Sequence, residues 1–274
     1  MNLKNLVIFL GIILWPLNLY LANTPQNFIT YLIPVLLLIV SYFLYKRESE
    51  YYTLPLLLIG LFEKKLVLFS IMFILGELLI RIDKKKIILL ILSLLIFVFQ
   101  FQAFRGQTVF FKDHEAQQVI LRNTYLYPNV TTARIFQNKL RVYFNKINFN
   151  LFALVDTNNY FFGFHPGQIA VTNQNIFKYP FISLIFVLYG IYYISKNKER
   201  SFIFLCLISG LANLSILQNF DRNDFILWVP ISLLFINGVN LMSVNNRKLW
   251  KIISFIFIVF SIPQFLRSYV EKIS

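Results

Sequence analysis

The chain has 274 residues, 58% of them hydrophobic and only 14% charged, with a mean hydropathy of +0.65. Soluble domains carry about a quarter charged residues, so this composition argues against one and fits a polytopic membrane protein. The single Cys206 excludes an intrachain disulfide framework, and the net charge of +14 sits mostly in short segments between apolar runs, which points to membrane orientation rather than a nucleic-acid partner.

A bilayer core of about 30 Å needs roughly 20 helical residues. Runs of about this length cover 6–22, 28–45, 66–82, 86–104, 179–195, 201–218, 225–242 and 249–266. The first run reads as an uncleaved span, because it is long for a signal peptide and lacks a small-residue cleavage site. A ninth run, 51–62, is short and covers only about 18 Å at 1.5 Å per residue. If it crosses and the N-terminus is cytoplasmic, the short cytoplasmic segments hold 13 basic residues against five outside. If it does not cross, the split is ten against eight. Positive-inside asymmetry therefore favours nine crossings, a cytoplasmic N-terminus and an extracytoplasmic C-terminus in the plasma (inner) membrane. The expected fold class is all-α, a polytopic transmembrane helix bundle of 8–9 spans. Its parts are an N-terminal bundle over 1–104, an extracytoplasmic loop with short helices over 105–178, and a C-terminal bundle over 179–274. Glu77, the acid well inside a span, stands four residues before Arg81 and reads as an i,i+4 pair near a helix end.

The loop 105–178 has room for chemistry. Asp113, His114 and Glu115 are consecutive, so their side chains point in different directions on a helix or strand, and no metal site is expected from them. Asp113 suits a helix N-cap, with Glu115 in the first turn. Residues 131–147, TTARIFQNKLRVYFNKI, read as one amphipathic basic helix capped by Thr131 or Thr132. Phe136, Leu140, Tyr143 or Phe144, and Ile147 recur at helical spacing, and the helix is expected on the membrane surface over lipid headgroups, with a solvated helix packed on the bundle as the alternative. The stretch VDTNNYFFGFHPG, 155–167, interleaves Asp156 and His165 with aromatic rings that suit the membrane–water boundary.

The run ARIFQNKLRVYFNKINFNLFALVDTNNYFFGFHPG, then NQNIFKYPFISLIFVLYGIYYI and NFDRNDFILWVPISLLFINGVNLM, resembles the C-terminal half of bacterial GT-C type membrane glycosyltransferases. These are relatives of protein mannosyltransferases and lipid A aminoarabinose transferases. The similarity spans about 105–242 and rests on a Phe-Phe…His-Pro turn, a span opening Tyr179-Pro180, and a polar loop with Arg222 before the span that carries Pro230. It implies a polyprenyl-phosphate-linked sugar donor and an inverting transfer outside the cytoplasm, without a cofactor. Arg105 and Arg222 would hold the phosphate, since guanidinium makes bidentate bonds to phosphate oxygens. His165 and Asp156 would contact substrate. In the family the catalytic base is an acid in the first extracytoplasmic loop. Here that loop is Asn23-Thr24-Pro25-Gln26-Asn27, which has no acid, so Asp113 and Glu115 become the catalytic candidates. The alternative is a non-catalytic lipid-binding subunit of a membrane assembly, and a transporter is the third reading. Either way the expected partners are membrane lipids, the lipid-linked sugar and a membrane protein.

Overall fold

A computed structural model of the chain describes residues 2–22, 25–110, 113–162, 178–196, 198–220 and 223–273. The described residues are helical apart from turns and one isolated bridge between Thr108 and Leu217. In chain order the helices are α1 (Leu3–Ala22), α2 (Pro25–Lys46), α3 (Leu54–Phe62), α4 (Val67–Ile80), α5 (Lys84–Arg105), α6 (Asp113–Thr124), α7 (Val130–Phe136), α8 (Lys139–Val155), α9 (Asn158–Phe161), α10 (Ser183–Tyr192), α11 (Arg200–Ser215), α12 (Trp228–Asn245) and α13 (Arg247–Ile273).

Each apolar run found in the sequence contains a helix. Three helical stretches among the described residues are long and apolar enough to cross a membrane: Lys84–Arg105, Asp224–Asn245 and Arg247–Arg267. They occupy different depths of the bundle. Within its most apolar window the Asp224–Asn245 stretch is 72% buried, while Lys84–Arg105 is 11% buried and Arg247–Arg267 28%. The last two therefore expose rows of large apolar side chains, including Ile88, Ile91, Leu95, Val98 and Phe99 on α5 and Phe255, Val259 and Phe260 on α13. Water would penalise such a surface by about 25 cal/mol per Å², whereas lipid does not. A membrane environment is the one in which this molecule is stable.

Two ends of the bundle can be distinguished. At the basic end, Tyr42 donates to Glu199 Oε2 (2.8 Å), Lys46 stands 4.0 Å from Glu199, and Lys85 pairs with Glu50. At the aromatic end, the Asn213 side chain accepts from Phe69 N (3.2 Å) and donates to Lys65 O (2.9 Å), tying α11 to the start of α4. The short α3 runs between these ends. Near its start, Ser41 donates to Tyr52 O (2.6 Å), and near its finish Gln100, late in α5, reaches Leu61 O (3.5 Å).

Glu77 is placed differently from the sequence expectation. Its partner is Lys86 at 2.9 Å, and both residues are buried. The helix stops at Ile80 and Arg81 turns extended (φ −149°, ψ 114°), which removes it from the i+4 position. The following helix, capped by Asp83 Oδ1 accepting from Lys85 N (3.1 Å), brings Lys86 back instead.

The centre is set by α10 crossing α12 at glycines. A Cβ on Gly238 would stand 1.8 Å from Phe186 O, and one on Gly190 would stand 2.1 Å from Leu234 O. The two backbones thus touch, the arrangement that small residues permit in membrane bundles. Phe186, Phe235 and Phe257 close around the crossing with ring centroids 5.5–6.0 Å apart. Gly238→Ala should force the helices apart and lower stability by about 1–3 kcal/mol. Thermal unfolding in detergent should show a clearly lower midpoint, and an unchanged one would contradict this account of the crossing.

Candidate functional site

The 105–162 segment folds back on the bundle through polar contacts with the end of α11. Val109 N donates to Ile216 O (2.9 Å) and Gln218 N to Gln107 O (2.9 Å), while the Gln218 amide reaches Thr108 O (2.8 Å). From α8, Asn150 Nδ2 donates to Ser215 O (2.9 Å) and Leu217 O (2.8 Å). Helix ends leave carbonyls without intrahelical donors, and Asn150 supplies donors at this one. Asn150 itself is fully buried, so α8 lies flush against α11.

Beyond α8 the chain turns into the aromatic core. Asp156 Oδ1 accepts from Asn158 N (2.9 Å), an Asx turn that starts the short α9. Tyr160 donates its hydroxyl to Leu154 O (2.7 Å), and its carbonyl accepts from Tyr179 N (2.9 Å). Burial pushes the Tyr160 phenol well above its ordinary pKa, with the Asp224 carboxylate adding to the effect, so it remains a hydrogen-bond donor. Trp15 from α1 meets Tyr160 and Tyr179 at centroid distances of 5.6 and 5.2 Å.

Within this box sits a buried ionic cluster. Lys178 Nζ pairs with Asp224 Oδ2 and donates to Asn159 Oδ1 (2.8 Å). It also lies 5.5 Å from the Trp15 ring centroid and 5.1 Å from that of Tyr160. Asn159 and Asp224 are 0% exposed and Lys178 is 5% exposed. The ammonium is thus held by one carboxylate, one amide oxygen and two ring faces, which replace its hydration. Among the described residues Trp15 Nε1 has no acceptor, and Asn159 Nδ2, directed at the Tyr160 hydroxyl, makes no well-aligned bond to it. A buried donor left unsatisfied costs about 1–3 kcal/mol, so one in this cluster marks a place where a ligand oxygen or a water would be held.

The residues singled out from the sequence fall in several places. Asp113 opens α6 and Glu115 lies in its first turn, but their side chains are outside the described residues; the neighbouring His114 is exposed and bonds Gln118 (3.1 Å). Arg105 is the last residue of α5 and is exposed. Asp156 is partly buried and engaged in its own turn. His165 and Arg222 lie outside the described residues. The amphipathic run 131–147 is split. Asn129, not a threonine, caps α7 by accepting from Thr131 N (3.2 Å), and Asn138 starts α8 by accepting from Arg141 N (2.9 Å). Sequence reasoning passed over Lys178, Asp224, Asn159 and Trp15. The signal was present as single polar residues inside aromatic stretches, IFKYP and NDFILW.

No family model, curated protein or solved structure matches the chain. The chemistry of the cluster therefore has to be argued from its own geometry. Among the described residues no group of His, Cys, Asp and Glu has the arrangement of a metal site.

The cluster makes a direct prediction. Asp224→Asn should destabilise the protein by about 3–5 kcal/mol, because it leaves a buried ammonium without its counter-charge. The double variant Lys178→Met with Asp224→Leu should recover most of that loss. Thermal unfolding of the three proteins in one detergent decides it: equal melting of the single and double variants would mean that charge compensation is not what the pair provides.

Proposed function

We propose that the chain is a plasma-membrane protein with nine crossings and an extracytoplasmic 105–178 segment, which takes a polyprenyl-phosphate-linked sugar at its aromatic end as GT-C type glycosyltransferases do. The observation that carries this reading is the buried Trp15 Nε1, without an acceptor among the described residues, beside Lys178 and the poorly aligned Asn159 amide. Sugar hydroxyl and ring oxygens accept from such donors, and the apolar face of a sugar packs against aromatic rings like those of Trp15, Tyr160 and Tyr179. The carrier lipid would lie along the exposed apolar side chains of this end, with its phosphate at headgroup depth near Arg105 and the sequence candidate Arg222. The number of crossings and their sidedness rest on the distribution of Lys and Arg between short segments.

The chemistry is inverting. An acceptor oxygen attacks the anomeric carbon and gives its proton to a carboxylate, Asp113 or Glu115, while the carbon–oxygen bond to phosphate breaks and the polyprenyl phosphate leaves with the electron pair. A second reading, a non-catalytic lipid-binding subunit that works with a membrane protein partner, draws on a specific observation. The two carboxylates described on the inner side of this end, Asp156 and Asp224, are both engaged, one in a turn and one in the ion pair.

The purified chain in nanodiscs, mixed with a polyprenyl-phosphate sugar and with the bare polyprenol, separates these readings. Donor at about 100 times its Kd should stabilise the fold by about 2.7 kcal/mol, and the polyprenol should not. Release of polyprenyl phosphate that disappears in Asp113→Asn or Glu115→Gln, with stabilisation retained, supports the transferase. Stabilisation without release selects the subunit, and absence of both eliminates the lipid-linked sugar.

A further inference from the structure

Helix α8 carries the latter part of the run expected over lipid headgroups and continues it to Val155. Its inner face carries Asn150, Ala153 and Leu154, all buried against the rest of the molecule. At about 100° per residue, Leu140, Phe144, Leu151 and Val155 fall within roughly 60° of one another on a different side. These four are exposed by 76%, 63%, 36% and 58%, and Phe152 (75%) and Phe149 (52%) extend the apolar arc to roughly 180°. Leu and Phe do not form a continuous exposed row on a solvated helix unless something covers it. Lys139, Arg141 and Lys146 lie off that row and are exposed. Lys146 extends over the Phe149 ring at 5.1 Å, with its stem along apolar surface and its charge at the rim.

We infer that this row is buried in the headgroup boundary of a bilayer that carries anionic lipid, so that α8 is a surface anchor for the whole 113–162 segment. Two features favour lipid over a protein partner. The first is charge: the helix carries three cations, Lys139, Arg141 and Lys146, and no acid, which suits a negative surface. The second is continuity with the lipid-facing helix α5. Residue Thr108, three positions after α5 ends at Arg105, is bridged to Leu217, and the Leu217 carbonyl is held by Asn150 of α8. Phe110 then packs edge-on against Tyr143 of α8 at 5.4 Å. The apolar row of α8 therefore begins close to where the lipid-exposed wall of α5 stops. The break at Gln137–Asn138 has a purpose in this arrangement. Arg141 donates to Phe136 O (2.9 Å) across the break, so α7 can leave the axis of α8 without an unsatisfied end. This anchor does not depend on the donor-lipid reading, because bilayer phospholipid alone would hold it.

The test uses the full chain in liposomes with no other protein and no sugar donor. Phe144→Cys places a fluorescent label on the row, and Lys146→Cys places one about 160° away. Both are made with Cys206→Ala. A nitroxide carried by lipid just below the headgroup should quench the label at position 144 several-fold more than that at 146, and aqueous iodide should do the opposite. The difference should widen when phosphatidylglycerol replaces part of the phosphatidylcholine. Equal quenching at the two positions overturns the anchor, and so does quenching at 144 that ignores the anionic lipid. If Phe144→Cys does not fold, Leu140→Cys and Val155→Cys carry the same comparison. Donor-dependent stabilisation is measured separately, so either result can fail alone.

Discussion

A buried ammonium has to be compensated, and the aromatic end of this molecule is arranged around that need. Lys178 precedes α10, Asp224 precedes α12, and Asn159 is the second residue of α9. Their mutual bonds fix where three chain segments meet. Tyr179, one residue on, adds bonds from its hydroxyl to Trp228 O (3.1 Å) and to Ser232 Oγ (2.8 Å). Further into the bundle, α10 and α12 touch again at Gly190 and Gly238. Two helices joined at two heights have little freedom to rotate, so the aromatic box in front of them is held in a fixed shape. Desolvating both charges is expensive, and replacing such pairs by apolar residues is often neutral in other proteins. Retention of a buried pair here is better explained by what it positions than by net stability.

The helices were legible because sustained apolar runs of about this length have few other structures open to them. Their order and approximate ends follow the sequence closely, and the short 51–62 run did become a helix between the two ends. The misreadings came where local rules competed. Periodicity made 131–147 one helix, but Asn138 offered a side-chain cap in mid-run, and capping an available amide outweighed continuing the pattern. The i,i+4 rule gave Glu77 to Arg81, yet it holds only while the helix continues, and α4 ends one residue before Arg81. Lys86, nine positions on, was invisible to any local rule.

The candidate site was much less legible than the fold. Arg105, Arg222, His165, Asp156, Asp113 and Glu115 stand out through the glycosyltransferase resemblance and their place in the 105–178 loop or the polar loop before α12. Lys178 and Asp224 look like ordinary span-edge charges when read singly. Their pairing crosses 46 positions, and that of Trp15 with Tyr160 crosses far more. Neither composition nor spacing encodes such proximity. What the sequence did hold was a mismatch: a lysine and an aspartate each embedded in aromatic and aliphatic neighbours, where an unpaired charge would not be tolerated. In an apolar chain, such isolated charges have to find each other.

The two buried ion pairs among the described residues differ in how completely their neighbours are engaged. Glu77 and Lys86 lie at the basic end, with the Tyr52 hydroxyl bonded to Glu77 and the Tyr52 ring 5.8 Å from Lys86 Nζ. Every polar atom named in that cluster has a partner within the chain. At the aromatic end Lys178 is equally well enclosed, but the enclosure is less complete: Asn159 turns its oxygen to the lysine and directs its amide only loosely at the Tyr160 hydroxyl, and Trp15 gives the lysine its face and leaves its N–H without an acceptor among the described residues. A cluster evolved only to neutralise a charge would have no use for donors pointing elsewhere. An oxygen-bearing guest would use both.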